Sequence, residues 1–101
     1  MSETLRLEFE FTSSPAPVQA DGTVADRQFY FRARGDTWQF TVAERDGDDP
    51  ADLDEKHVVL GTAWYRSGTL PGRFDASWMP LDQARSLIEE CAREYIAAHP
   101  A

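Results

Sequence analysis

Residues Arg27 to Arg45 constrain the fold more than any other part of the chain. They read as two strands, Arg27 to Arg34 and Thr37 to Arg45, joined by Gly35-Asp36. A two-residue loop sets Arg34 opposite Thr37, and so Ala33 opposite Trp38, Phe31 opposite Phe40 and Phe29 opposite Val42. The last three pairs then fall on one face. The register imposed by the turn is therefore the register imposed by the hydrophobic alternation. A slip of one residue would turn every one of those side chains to water. Glycine in the first loop position suits a type II′ turn, which needs a positive φ there.

The flanking segments extend the pattern. Leu5, Leu7, Phe9 and Phe11 alternate with Arg6, Glu8 and Glu10, the period of a half-buried strand. Thr12 to Asp26 carries Ser13, Ser14, Pro15, Pro17 and the turn signal Asp21-Gly22, and reads as a long polar loop. Residues 46–56 read as an acidic loop. A further strand is expected from His57 or Val58 to about Tyr65, with Val58, Leu60 and Trp64 facing inward. Arg66 to Arg73 contains Gly68, Pro71 and Gly72 and reads as a turn, and Phe74, Ala76 and Trp78 read as a short last strand.

Pro80 then opens a helix, where its missing N–H costs nothing. Leu81, Ala84, Leu87, Ile88, Cys91, Ala92, Tyr95 and Ile96 form one apolar stripe at helical spacing. Arg85, Glu89, Glu90, Arg93 and Glu94 lie opposite, with Arg85–Glu89 and Glu89–Arg93 spaced as i,i+4 pairs. His99-Pro100 ends the helix. A one-sided helix and a one-sided sheet must cover each other. The expected fold is α+β in two layers: an antiparallel four- to five-stranded β-meander with one C-terminal helix packed on one face. All 101 residues fit a single domain. The first strand can pair at either sheet edge.

Composition supports one core. A chain of this length buries roughly 60–70% of its unfolded surface, and 12% of its residues are aromatic, which concentrates apolar area in a small volume. Cys91 is the single cysteine, which excludes an intrachain disulfide and a thiolate zinc cluster. The amino terminus shows no basic region followed by an apolar run. No apolar stretch reaches the roughly 20 residues that span a bilayer. The expectation is a cytoplasmic protein without membrane contact. The formal charge of −8 disfavours direct nucleic-acid binding and is compatible with a basic protein partner.

Candidate chemistry is sparse. Glu44, Asp46, Asp48, Asp49, Asp52, Asp54 and Glu55 place seven carboxylates in twelve residues. Their spacing resembles a calcium-binding EF-hand loop, but the sixth place holds Asp49 where the sharp turn needs glycine. The reading is a solvated loop or a contact for a basic partner. His57, beside Glu55, and Cys91 are the candidates for a base and a nucleophile, yet Cys91 lies in the apolar stripe, where a thiol behaves as a small hydrophobe. No phosphate-binding glycine loop or serine-hydrolase elbow occurs, and no cofactor or metal is expected.

The outer sheet face is more informative. The register puts Tyr30, Arg32, Arg34, Gln39, Thr41, Ala43, Val59, Gly61, Ala63 and Tyr65 there, small at the centre and aromatic or cationic at the edges. Arg32 and Arg34 are expected to solvate the sheet or to pair with Glu8 or Glu10. Partial cover by the Thr12–Asp26 loop is one reading of this face, and a contact surface is another. The leading expectation is a noncatalytic protein-binding module: an inhibitor, an immunity-type protein or an accessory subunit. Its candidate contact residues are Tyr30, Arg32, Arg34, Gln39, Thr41 and Tyr65 with Asp46, Asp48, Asp49, Asp52 and Asp54. The partner is another protein, either basic or itself nucleic-acid-binding. The alternatives are a homodimer stacking two outer faces or a small-ligand-binding domain, and a small enzyme using His57 or Cys91.

Overall fold

The hairpin that anchors the sequence reading is the centre of a five-stranded antiparallel sheet. The computed structural model describes residues 6–14 and 18–99. Strands β1 (Leu7–Ser13), β2 (Val18–Val24), β3 (Arg27–Arg34), β4 (Thr37–Ala43) and β5 (Ala63–Thr69) lie side by side in sequence order. In β3–β4 the pairs are Arg34↔Thr37, Ala33↔Trp38, Phe31↔Phe40 and Phe29↔Val42, as the turn demands. Gly35 takes φ +64° and Asp36 stays at negative φ, the pattern of a type II′ turn. Phe29, Phe31, Ala33, Trp38, Phe40 and Val42 are all buried on the inner face. The Phe29 and Phe40 rings stack there with centroids 4.8 Å apart.

The Thr12–Asp26 loop reading is corrected. Val18–Val24 is a full strand that pairs with both β1 and β3, so β1 is the sheet edge. Val18, Ala20 and Val24 are fully buried inward, while Gln19, Asp21 and Thr23 alternate outward. Asp21-Gly22 is mid-strand, not a turn. Gly22 is glycine because β1 crosses too closely for a side chain: a Cβ there would lie 2.6 Å from Phe9 Cα, and closer still to the Glu8 carbonyl oxygen. The turn is at Ala25-Asp26, where both residues take positive φ (50° and 68°), the pattern of a type I′ hairpin. Asp26 also receives the Arg6 guanidinium. Leu5, Pro15 and Pro17 lie outside the described residues.

The strand expected from His57 or Val58 is also corrected. The acidic segment instead forms a 3-10 turn, Pro50–Asp52, and a short helix α1 (Glu55–Val59). The Asp54 carboxylate accepts from the Lys56 N–H, and His57 Nδ1 accepts from the Asp54 N–H, a reciprocal cap. At the other end Gly61 takes φ +79°, its N–H bonding Val58 O while Thr62 N–H bonds His57 O. That double closure is a Schellman motif. Val58 and Leu60, expected in the core, are 44% and 70% exposed. Strand β5 therefore starts later and runs through Arg66–Thr69, a span that the sequence alone reads as a turn. Its parity is retained: Trp64 opposes Val42 inward, and Ala63 and Tyr65 oppose Ala43 and Thr41 outward.

Phe74, Ala76 and Trp78 do not form a strand. Residues 71–78 are turns, with Ala76 and Met79 buried and Phe74 and Trp78 outside. Helix α2 (Leu81–Ala98) follows Pro80 as expected. Ala84, Ile88, Cys91, Ala92 and Tyr95 of its stripe are buried with the inner sheet face. Leu81 is largely exposed. The polar side makes tertiary contacts in place of the Arg85–Glu89 and Glu89–Arg93 pairs. Arg66 of β5 bonds Glu94, with Glu90 at 3.7 Å, and Arg85 lies over the Phe9 and Phe11 rings at 5.3 and 5.7 Å. No helix among the described residues is long and apolar enough to cross a membrane.

Two substitutions test this packing. Trp38→Ala is expected to cost about 3–5 kcal/mol in denaturant unfolding, as large aromatic truncations do. Gly22→Ala is expected to destabilise the domain and to strip amide-exchange protection from β1 and β2 first. Uniform loss of protection across all five strands would contradict the close approach of Phe9.

Candidate protein-binding surface

The outer sheet face is divided. Over one half lies the segment between β4 and β5, and its anchors are apolar. Leu53 packs with Ala43 and Ala63, and Pro50 is buried. Thr41, a candidate contact residue, is completely buried, and its Oγ1 has no hydrogen-bond partner. The cover on this face is thus residues 46–60, not the Thr12–Asp26 segment. The small-residue centre at Thr41, Ala43 and Ala63 is already occupied.

The carboxylates of that segment have local work. Asp46 pairs with Arg27 at 2.7 Å and Asp48 with Arg45 at 3.0 Å. Asp49 caps the 3-10 turn through Ala51 N–H at 3.0 Å, and Asp54 caps α1. Asp52 sits exposed in the first turn of the 3-10 segment. Glu44 belongs to a different cluster. Among the described residues, no three His, Cys, Asp or Glu side chains converge as a metal site.

The other half of the face is open and holds most of the remaining candidates. Tyr30, Arg32, Gln39 and Tyr65 are half-exposed there, and Arg34 is exposed. Cross-strand register aligns Arg32 with Gln39, and Gln39 Oε1 accepts from the Tyr65 hydroxyl at 3.5 Å. Burial raises the pKa of the Tyr30 phenol, with a smaller opposite pull from Arg32. Arg32 and Arg34 have no carboxylate within 4.0 Å among the described residues, whereas Arg6, Arg27 and Arg45 each have one and Arg66 has two. Pairing with Glu8 or Glu10 fails because β2 lies between β1 and β3. Arg32 Nε is buried without a partner.

At the bend end of the β3–β4 hairpin stands the 71–78 turn. Gly35 N–H donates to Ser77 Oγ at 2.6 Å, and Gly35 O accepts from the Ala76 and Ser77 N–H groups at 2.9 and 3.2 Å. Leu70 N–H bonds Asp36 O at 2.7 Å, and Asp75 receives the Gly72 N–H at 2.9 Å. The backbone is therefore fixed, yet Phe74 and Trp78 are 60% and 65% exposed. The Arg73 guanidinium sits 5.9 Å from the Phe74 ring centroid.

His57 and Cys91 do not meet. His57 spends its ring on the α1 cap, and Cys91 is sealed between the sheet and α2. Burial pushes the Cys91 thiol up to about 12, against a smaller downward pull from Arg66. That is the opposite of the activation a nucleophile needs. A polar cluster missed from sequence joins β4 to the end of α2. Tyr95 Oη donates to Glu44 Oε1 at 2.8 Å, and His99 Nε2 lies 2.9 Å from Glu44 Oε2. His99 Nδ1 faces the Tyr95 carbonyl at 2.8 Å, and the two rings stack. Burial, then the Glu44 carboxylate, raise the pKa of the Tyr95 phenol. The arrangement latches the helix end to the sheet. The Tyr95/His99 spacing of i,i+4 was visible in sequence, but nothing local pointed to Glu44.

The thiol yields a pH prediction. The unfolded thiol loses its proton near 9.0 and the folded one near 12. The native state binds more protons between those values, so stability falls as pH rises through that window. Tyr95 acts in the same direction, so Cys91→Ala should flatten, not abolish, the decline in denaturant midpoint. An unchanged slope, or rapid labelling of the folded protein by a thiol reagent, would contradict the sealed site. Comparison with protein-family models, with curated proteins and with solved structures gives no match.

Proposed function

We propose that the domain is a noncatalytic protein-binding module that uses the Phe74–Trp78 turn as its anchor and the open half of the outer face as its rim. The carrying observation is that two large aromatic side chains face solvent from a backbone pinned to Gly35 and Asp36. Interface hot spots are enriched in Trp, Tyr and Arg. A rigid display lowers the ordering cost of association. Tyr30, Arg32, Arg34, Gln39 and Tyr65 supply the aromatic, cationic and amide groups typical of such surfaces. This reading covers an inhibitor, an immunity-type protein or an accessory subunit.

The acidic residues Asp46, Asp48, Asp49, Asp52 and Asp54 take a secondary part in this reading, because most of them hold their own segment together. The test is a Phe74→Ala/Trp78→Ala double variant. Its unfolding midpoint should stay near wild type, with each exposed change worth within about 0.5 kcal/mol. A photo-crosslinker placed at position 78 should trap a discrete adduct in native lysate, and one at position 93 should not. Binding to the captured partner should weaken by about 2 kcal/mol or more for the double variant. Equal crosslinking at both positions, or undiminished binding by the variant, would reject the anchor.

A further inference from the structure

A second surface, separate from the Phe74–Trp78 turn, stands on an independent observation. Strand β1 has one neighbour, β2, among the described residues. Ala25 N–H bonds Arg6 O, and the two-residue turn makes Val24↔Arg27 the closing pair of β2–β3. Antiparallel bonding alternates along a strand, so Glu8 and Glu10 direct their main-chain groups to β2. Those of Leu7, Phe9 and Phe11 point to the open edge. Their side chains remain half-buried on the inner side, with Arg85 over both phenyl rings. The opposite edge strand, β5, has α1 packed against it.

The outer side of β1 carries an unresolved electrostatic cost. Glu10 lies directly opposite Asp21, and Glu8 stands next along the same face, opposite Thr23. No Lys or Arg nitrogen of the described residues comes within 4.0 Å of any of these three carboxylates. Like charges directly opposite on neighbouring strands are destabilising. A second copy of β1 is a poor occupant, because antiparallel pairing about Phe9 sets Glu8 against Glu10 twice. Such inward- or edge-facing charge is how sheet edges avoid self-pairing.

We infer that the β1 edge accepts an extended basic segment of a partner protein by strand addition. Its cationic side chains would lie beside Glu8 and Glu10, and its apolar ones beside Phe9 and Phe11. Main-chain bonds to Phe9 and Phe11 supply affinity, and the alternation supplies specificity. The pattern required is basic–apolar–basic–apolar.

The experiment uses the full chain and an alternating Lys/Val heptapeptide, followed by NMR. Binding should shift the Phe9 and Phe11 amides and slow their exchange. An alternating Glu/Val peptide should not bind, and Glu8→Lys/Glu10→Lys should reverse the preference. Affinity of the Lys/Val peptide should fall at least about tenfold in Glu8→Gln/Glu10→Gln. Blocking the peptide's N–H groups by N-methylation should abolish binding. No binding, equal binding of the N-methylated peptide, or shifts centred on residues 46–54 would each overturn the inference. The Phe74→Ala/Trp78→Ala variant should bind the peptide as wild type does, so this surface and the turn stand or fall separately.

Discussion

The bend at Gly35-Asp36 is the constraint on which the other layers depend. Its two-residue length sets the parity of β3 and β4, and so decides which side of the sheet receives α2. The same glycine has a second duty. Its N–H and carbonyl are left free by the ladder, and they bond Ser77 and Ala76. Buried main-chain groups must find partners, and here they find them in a segment some forty positions later (the contact spans 42 residues). A bend that slipped by one residue would invert the core and release the turn that displays Phe74 and Trp78. Space is not what selects glycine: the nearest atom to an added Cβ is Arg73 O at 3.9 Å. The positive φ does so.

The parts legible in the sequence are those whose signal is local and periodic. The β3–β4 register, the inward side of β1 and the stripe of α2 each repeat over several residues, and each repeat agrees with its neighbours. Strand β2 was hidden because Asp21-Gly22 carries turn chemistry. The glycine is required by Phe9 and Glu8 on another strand, a tertiary demand that no local pattern records. Its true turn uses Ala25 and Asp26, of which only Asp tolerates positive φ well. Helix α1 is five residues long, too short to display a helical period. Its signal lay in its ends, Asp54 with His57 before and Gly61 after, and valines inside it read as strand.

The candidate surface was legible in part for the same reason. Parity placed Tyr30, Arg32, Arg34, Gln39 and Tyr65 together, because register is a matter of counting. Counting does not say what lies on top, and Thr41 passed from contact candidate to buried residue under the 46–60 segment. The acidic run illustrates the opposite failure. Seven carboxylates in a row of twelve look like one feature when read as charge. Read as hydrogen-bond acceptors, most are separate devices: two local caps, one local and one distant arginine pair, and one distant tyrosine partner. Phe74 and Trp78 alternate with polar residues as a buried strand would, yet of the three alternating apolar side chains only Ala76 points inward.

The two faces of the sheet are held by different physics, and this decides where the molecule can give way. The inner face is closed by α2 through a continuous apolar cluster that runs from Val18 to Tyr95. The covered half of the outer face is closed by Leu53 and Pro50, with caps and exposed ion pairs around them. Exposed ion pairs contribute about 0–1 kcal/mol each, far less than an apolar core of fully buried rings. Local opening begins where buried apolar contacts are fewest. The 46–60 segment is therefore the layer expected to lift first, which would uncover Thr41, Ala43 and Ala63 without disturbing the parity of the hairpin beneath. The hydroxyl of Thr41, left without a partner under that layer, marks the same weakness from below. Its desolvation is a standing cost of closure, and one that water would relieve when the segment opens.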